Sequence, residues 1–304
     1  MSKYCEFSSE ILKVSLDGGE TWEPAQPLTY RKKNMVAPYS KECGYSEASL
    51  YSGHNLTFTA LQNNVEITFK SSYLSSMKYS LNSGSTWIDA DRISGSGYQY
   101  KLPTLSNGEV IMVKGSGANY QRDSSVGTFS STGLYEVRGN PYLNFCNTTL
   151  HPWDMFENDT HILSAENLYL AVNNNAHFAH MFAGCTSLIK APTILYDEIG
   201  TGNWAGCEGM FSGCTSLQTS PILMPKVVPY SGYKDMFYGC SSLNEIYCFA
   251  EDTTAAYCTD NWVIGVNNNG IFHKNYLNNN WPTGSSGIPT NWIIGNMPLD
   301  YNET

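Results

Sequence analysis

The chain has 304 residues, Lys+Arg 17 against Asp+Glu 27, a formal net charge of −10, and 14% charged against 13% aromatic residues. Disordered chains are charge-rich and aromatic-poor, so this profile excludes disorder, and it argues equally against a Lys/Glu-laced bundle or coiled coil. Nucleic acid is not expected as a partner, because the chain repels phosphate and its densest basic cluster is Arg31-Lys32-Lys33.

The first residues, Met1-Ser2-Lys3-Tyr4-Cys5-Glu6-Phe7, carry no apolar core and no small-residue cleavage site, and do not read as a secretory signal. No stretch approaches the roughly 20 apolar residues of a membrane span, so membrane insertion is not expected either. Short alternating strands follow. Leu56-Thr57-Phe58-Thr59-Ala60-Leu61 and Val65-Glu66-Ile67-Thr68-Phe69 have period two and flank Gln62-Asn63-Asn64 as a turn, and Val110-Ile111-Met112-Val113 is an apolar strand between Gly108 and Gly115. About seven strands at 8–12 residue spacing predict a β-sandwich-like domain over 46–140, preceded by a small β-module, a candidate anchor, over 1–45.

Two segments of this half match each other. Ser15-Leu16-Asp17-Gly18-Gly19-Glu20-Thr21-Trp22 recurs as Ser80-Leu81-Asn82-Ser83-Gly84-Ser85-Thr86-Trp87. The form S-x-[DN]-x-G-x-T-W resembles the Asp-box of sialidases. In mechanical terms it is a hairpin: Asp or Asn caps the turn amides, Gly accepts positive φ, and Trp locks the turn to its sheet. Two boxes fall far short of a propeller, and the scarce arginines do not suggest a carboxylate-binding triad, so hairpin staples are expected and sialidase activity is not.

A repeat governs the second half. Met155-Phe156-Glu157-Asn158-Asp159, Met181-Phe182-Ala183-Gly184-Cys185, Met210-Phe211-Ser212-Gly213-Cys214 and Met236-Phe237-Tyr238-Gly239-Cys240 start four units spaced 26, 29 and 26 residues apart. In the last three, Leu188, Leu217 and Leu243 follow at one offset. Such a period marks a solenoid, in which no unit is stable alone and each buries its Met, Phe and Leu against its neighbour. The glycines are expected at tight turns and the cysteines inside the stack. The first unit departs from the pattern, with Asn158 in the Gly slot and Asp159 in the Cys slot.

The G-C-[TS]-S-L run after Met-Phe resembles the BspA-like leucine-rich-repeat family, found in surface proteins of Bacteroidetes and in their phages. Cys258-Thr259-Asp260-Asn261-Trp262-Val263-Ile264-Gly265-Val266, Gly270-Ile271-Phe272-His273-Lys274, Trp281-Pro282-Thr283-Gly284 and Gly287-Ile288-Pro289-Thr290-Asn291-Trp292 are similar to the segment that closes these arrays, and Trp262, Trp281 and Trp292 are expected to pack that cap. The fold class expected is therefore mainly β: N-terminal β-modules, four leucine-rich repeats over 141–257, and a C-terminal cap over 258–304.

The nine cysteines are an odd number with no CxxC pair, and the six histidines do not take zinc-like spacing, so neither a full disulfide framework nor a metal site is expected. Only Cys5 and Cys43 remain a candidate bridge. His177 and His180 frame the second Met-Phe without a third ligand. Asp154, Glu157 and Asp159 are the nearest approach to a paired-carboxylate site for glycoside hydrolysis, and are expected to be solvated instead. No nucleophile elbow, phosphate loop or zinc-protease motif occurs, so no catalytic, metal or cofactor-binding residue is assigned and no cofactor is expected.

Resemblance and the missing export signal together suggest a non-enzymatic phage virion protein, a head or tail fibre or decoration, displaying its repeats for attachment to the host surface. Bacterial surface adhesin and structural docking component of the virion are the alternatives. The expected partners are other virion proteins and a host-surface glycan or protein, and fibre proteins of this class imply a homotrimer or homodimer. The variable loops 197–204 and 226–233 place ligand-binding candidates at Trp204, Tyr230 and Tyr233.

Overall fold

The structure is a computed structural model of the chain. It describes residues 55–93, 98–116, 124–141, 150–170, 178–194, 206–275, 278 and 280–296, together with three short strands near the N-terminus, at 4–7, 12–15 and 23–24. The chain divides into two compact units, residues 1–53 with 297–304, and residues 54–296. No helix occurs among the described residues.

In the first unit, β1 (Tyr4–Phe7), β2 (Leu12–Ser15) and β3 (Glu23–Pro24) form an antiparallel sheet in that order. Strands β2 and β3 pair antiparallel, Val14 with Glu23; residues 16–22 of the first Asp-box-like segment lie outside the described residues. Cys43 lies outside the described residues, as does the side chain of Cys5.

The second unit opens with β4 (Thr57–Ala60), β5 (Ile67–Ser71), β6 (Ser76–Ser80), β7 (Ile88–Asp89), β8 (Asp91–Arg92), β9 (Tyr98–Lys101), β10 (Val110–Ser116), β11 (Ser124–Ser125), β12 (Thr128–Ser131) and β13 (Tyr135–Gly139). Then come β14 (Leu150–His151), β15 (Ile162–Leu170), β16 (Thr193–Ile194), β17 (Thr219–Leu223), β18 (Glu245–Cys248), β19 (Ile271–Lys274) and β20 (Ile293–Asn296). A seven-stranded sheet runs β16, β15, β13, β4, β10, β6, β7, and a four-stranded sheet runs β12, β5, β9, β8.

The turn at 62–64 is present, with Asn64 at φ 61°, but the strands it joins do not pair with each other. β4 bonds to β10 and β13, while β5 bonds to β9 and β12. The turn thus carries the chain from one sheet to the other, and the two share one aromatic core. Phe129 of β12 lies 4.9 Å from Phe58 of β4 and 4.4 Å from Phe69 of β5, all three fully buried.

The second Asp-box-like segment closes the β6–β7 hairpin as its residues dictate. Asn82 Oδ1 accepts the Thr86 amide at 2.9 Å, Ser80 Oγ accepts the Gly84 amide at 2.9 Å, and Gly84 takes φ 86°. Trp87 is half-buried beneath the Lys114 ammonium, 4.0 Å from the ring centroid, a cation–π contact that pins the hairpin to β10.

From Met155 onward the chain winds into stacked coils. Each turn donates from alternate amides to the next. Asp154, Phe156 and Asn158 bond Ala179, Met181 and Ala183, and His180, Phe182 and Gly184 bond Glu208, Met210 and Ser212. The pattern continues from Gly209, Phe211 and Gly213 to Lys234, Met236 and Tyr238, and from Asp235, Phe237 and Gly239 to Asp260, Trp262 and Ile264. The coil at 261–265 therefore keeps the register of the four Met-Phe units, with Trp262 in the Met position. On the opposite side, β17, β18, β19 and β20 form a parallel sheet.

Two positions are left-handed in all five coils. The expected one, after Met-Phe, holds Asn158 (φ 60°), Gly184 (74°), Gly213 (75°), Gly239 (74°) and Gly265 (76°). A second, just before the Met position, holds Asp154 (53°), His180 (54°), Gly209 (59°), Asp235 (53°) and Asn261 (54°). Those residue types tolerate positive φ best.

Inside, a column of rings runs through the stack. Phe129 to Phe156 is 5.8 Å, Phe156 to Phe182 5.2 Å, Phe182 to Phe211 5.6 Å at 6°, and Phe211 to Phe237 5.8 Å at 8°. The column begins in the two-sheet core and passes without a break into the coils, and β13 pairs in parallel with β15 across residue 140. At the far end, Trp262 stacks on Trp281 at 5.4 Å, and its Nε1 donates to the Gly287 carbonyl at 2.8 Å. Trp262, Trp281 and Trp292 are all buried, so they pack the end of the array as expected.

Candidate functional site

The coil interior offers no chemistry to solvent. Met155, Met181, Met210 and Met236, with the Phe and Leu residues of the same slots, are completely buried. Cys185, Cys214 and Cys240 are free thiols donating to the carbonyls of Phe156, Phe182 and Phe211 in the preceding coil, at 2.9, 3.0 and 2.9 Å. Each thiol is a second donor to a carbonyl that already accepts a backbone amide, that of Asp159, Cys185 or Cys214. Burial pushes the pKa of the Cys240 and Cys248 thiols up to about 12, which holds them protonated and unreactive. Among the described residues no group of three or more His, Cys, Asp or Glu is placed to hold a metal ion.

The three acidic residues of the first unit are not equivalent. Asp159 is buried in the Cys slot, where its Oδ2 accepts the Tyr135 hydroxyl at 2.9 Å and its Oδ1 the His161 amide at 3.0 Å. It is therefore a structural acceptor and not the solvated group expected, because Asp in this slot takes over the inward position of the thiol. Burial raises its pKa against those two hydrogen bonds. Asp154 stands in the left-handed position, its pKa raised by burial and pulled back by His180. The pKa of Glu157 is raised by burial and then by the charge of Asp154. His180 is exposed, and its imidazole covers Gly209, where a Cβ would lie 2.5 Å from Nδ1. His177 lies outside the described residues.

What the stack does present is a flank. The exposed tyrosines of the described residues are Tyr230 (52% exposed) and Tyr238 (46%) of the fourth coil and Tyr257 (60%) of the fifth. Val227, at 57%, joins them. The rings of Tyr230 and Tyr257 meet edge to face, 5.7 Å apart at 84°. They sit on successive coils joined by bonds from Ser231 N to Ala256 O (3.3 Å) and Tyr233 N to Cys258 O (2.8 Å).

The three sequence candidates thus meet different fates. Tyr230 is exposed as expected. Tyr233 is fully buried, stacked at 13° on Trp262, which takes it out of reach of a surface ligand. Trp204 lies outside the described residues. Tyr257 escaped the sequence reasoning, because it falls at the junction with the segment expected to form the cap. Its only signal was its place one repeat after Ser231, in the same left-handed position (φ 56° and 52°).

The strand side carries a second polar group. Glu245 Oε1 accepts the Tyr247 hydroxyl at 2.7 Å and lies 3.1 Å from His273 Nε2, while the Tyr247 and His273 rings stack at 4.2 Å and 4°. All three are half-buried and satisfy one another across β18 and β19. On the turn side, Lys234 Nζ reaches Glu208 Oε1 at 2.7 Å and ties the third coil to the fourth.

Comparison with protein-family models, with curated proteins and with solved structures found no match to the chain.

Proposed function

We propose that the protein is a non-enzymatic display scaffold, a virion fibre or decoration component whose repeat array attaches to a host-cell surface. The observation that carries this reading is the division of labour in the coils. The repeating Met, Phe, Cys and Leu slots are spent on the interior, and tyrosines left to solvent gather near the end of a rigid, hydrogen-bonded stack. Large rigid side chains on a preorganised frame are the usual means of recognition at low entropic cost.

The stacked coils read as leucine-rich repeats of the BspA-like kind, on the Met-Phe-x-Gly-Cys-x-Ser-Leu register quoted above, and the two facing sheets before them as a β-sandwich that extends the same core. Its partners would be other virion proteins and a surface glycan or protein, engaged through several weak contacts whose avidity comes from display in many copies. Mass spectrometry of purified particles tests the assignment: the chain should be present at structural stoichiometry. Recovery from a bacterial envelope fraction and absence from particles would overturn it in favour of a cell-surface adhesin. Adhesion of the purified chain to host cells tests attachment separately.

A further inference from the structure

From the flank geometry we infer that Tyr230 and Tyr257 form a carbohydrate-binding corner that takes a single neutral hexopyranose unit. This rests on the attachment reading and names the site and the ligand class. Two rings at 84° with centroids 5.7 Å apart make a floor and a wall. A pyranose has one face of axial C–H bonds that lies flat on an aromatic floor, and an edge that meets the wall. Both rings are more than half exposed, so neither is part of the core.

The frame is rigid. Tyr257 is held at φ 56°, a conformation that bulky residues avoid, by the ladder bonds on either side of it. The same position in the preceding coil carries Ser231, so the stack itself imposes the backbone and an aromatic residue is unfavourable there on local grounds. Residues held in sparsely populated backbone conformations cluster at active sites, ligand clamps and switch regions.

Polar groups for hydroxyls stand on the same flank. Asp252 bridges Val227 in the sheet sense, and its carbonyl accepts the Val228 amide at 3.0 Å, two residues before Tyr230. Its Oδ1 is engaged by the Thr254 amide and hydroxyl at 2.8 and 2.7 Å, while Oδ2 has no partner among the described residues. Because the Thr254 hydroxyl spends its hydrogen on Oδ1, Asp252 Oδ2 and Thr254 Oγ1 both offer acceptor lone pairs, suited to sugar hydroxyls that donate. The carboxylate disfavours an anionic sugar, and a neutral hexose is the class that satisfies both the rings and the acid.

Saturation-transfer NMR on the full chain with methyl β-glucopyranoside, methyl β-galactopyranoside and methyl α-mannopyranoside at millimolar concentration tests the site. At least one glycoside should receive saturation at its axial C–H protons. Tyr230→Ala and Tyr257→Gly should each weaken binding tenfold or more, and Tyr257→Phe should retain it. Tyr257→Gly accepts the left-handed backbone freely and so keeps the fold, and Leu81→Ala, exposed in the β6–β7 hairpin, is the control expected to leave binding unchanged. Binding that survives both ring deletions would overturn the inference. So would the absence of saturation transfer to all three glycosides while the wild-type chain still adheres to cells; loss of cell adhesion as well would bring down the attachment reading itself.

Discussion

Replacing Phe211 by Ala should split the stack at its centre. Phe211 is fully buried, with Phe182 on one face at 5.6 Å and Phe237 on the other at 5.8 Å, both nearly parallel. Truncating a buried Phe costs about 3–5 kcal/mol through lost transfer energy and the cavity left behind. The two ring contacts contribute toward the upper end of that range, since each aromatic pair adds roughly 0.5–1.5 kcal/mol beyond its buried area. Coils contact only their neighbours, so the loss cannot be shared along the array. Against a total of about 5–15 kcal/mol for a whole fold, a loss of this size is a large fraction. At a urea slope of about 3 kcal/mol/M it moves the midpoint by about 1–1.5 M. Urea titration by circular dichroism reads the shift, and hydrogen exchange at the Phe182 and Phe211 amides, which donate to Met210 and Met236, reports the local opening. A loss below about 1 kcal/mol with unchanged exchange would refute a continuous packed column, since even exposed substitutions such as Tyr238→Ala stay within roughly 0.5 kcal/mol.

Three further outcomes follow from the same geometry. Gly213 sits at φ 75° with room for a Cβ at 3.6 Å from Gly184, so Gly213→Ala should cost about 1–2 kcal/mol from handedness alone. Gly213→Asn should cost less, because Asn158 already fills that slot; equal losses in thermal unfolding would contradict the role given to φ. Asp159 has a raised folded-state pKa, so the stability it contributes is fully present below its unfolded-state pKa and is lost as pH rises through the folded value. The stability difference between wild type and Asp159→Asn should therefore favour wild type more at pH 4 than at pH 7, and a difference independent of pH would refute this. In the native protein at pH 8, iodoacetamide should leave Cys185, Cys214, Cys240 and Cys248 unmodified and should alkylate them in urea, as peptide mapping would show; rapid native labelling of any of them would contradict their burial.

Much of the solenoid was legible because its slots repeat as letters. Met, Phe, Gly, Cys and Leu recur at fixed offsets, and each letter predicts its own environment: ring column, left-handed turn, inward thiol. The second left-handed slot was hidden although its signal was present. Asp154, His180, Gly209, Asp235 and Asn261 share a tolerance for positive φ and no common letter. The fifth coil was hidden in the same way, with Trp262 and Val263 standing where Met and Phe stood before. The candidate site was half legible. A variable loop pointed to Tyr230 and, with equal force, to Tyr233, three positions along and buried; Tyr257, from the following coil, was not suspected.

By itself the sequence determined the mainly-β character, the period and register of the coils, the turn chemistry of the β6–β7 hairpin and the inward fate of the repeated cysteines. All of these follow from local periodicity and from the φ preferences of individual residues. Only the tertiary structure decided that β4 and β5 part to different sheets, that the aromatic column begins at Phe129 before the first repeat, and that Tyr230 meets Tyr257. Those facts depend on which strand pairs with which and on which coil lies above another. Alternation along a strand says which face is apolar, but its hydrogen-bonding edges carry no side-chain signature of their partner, so that choice is made by the packed core as a whole.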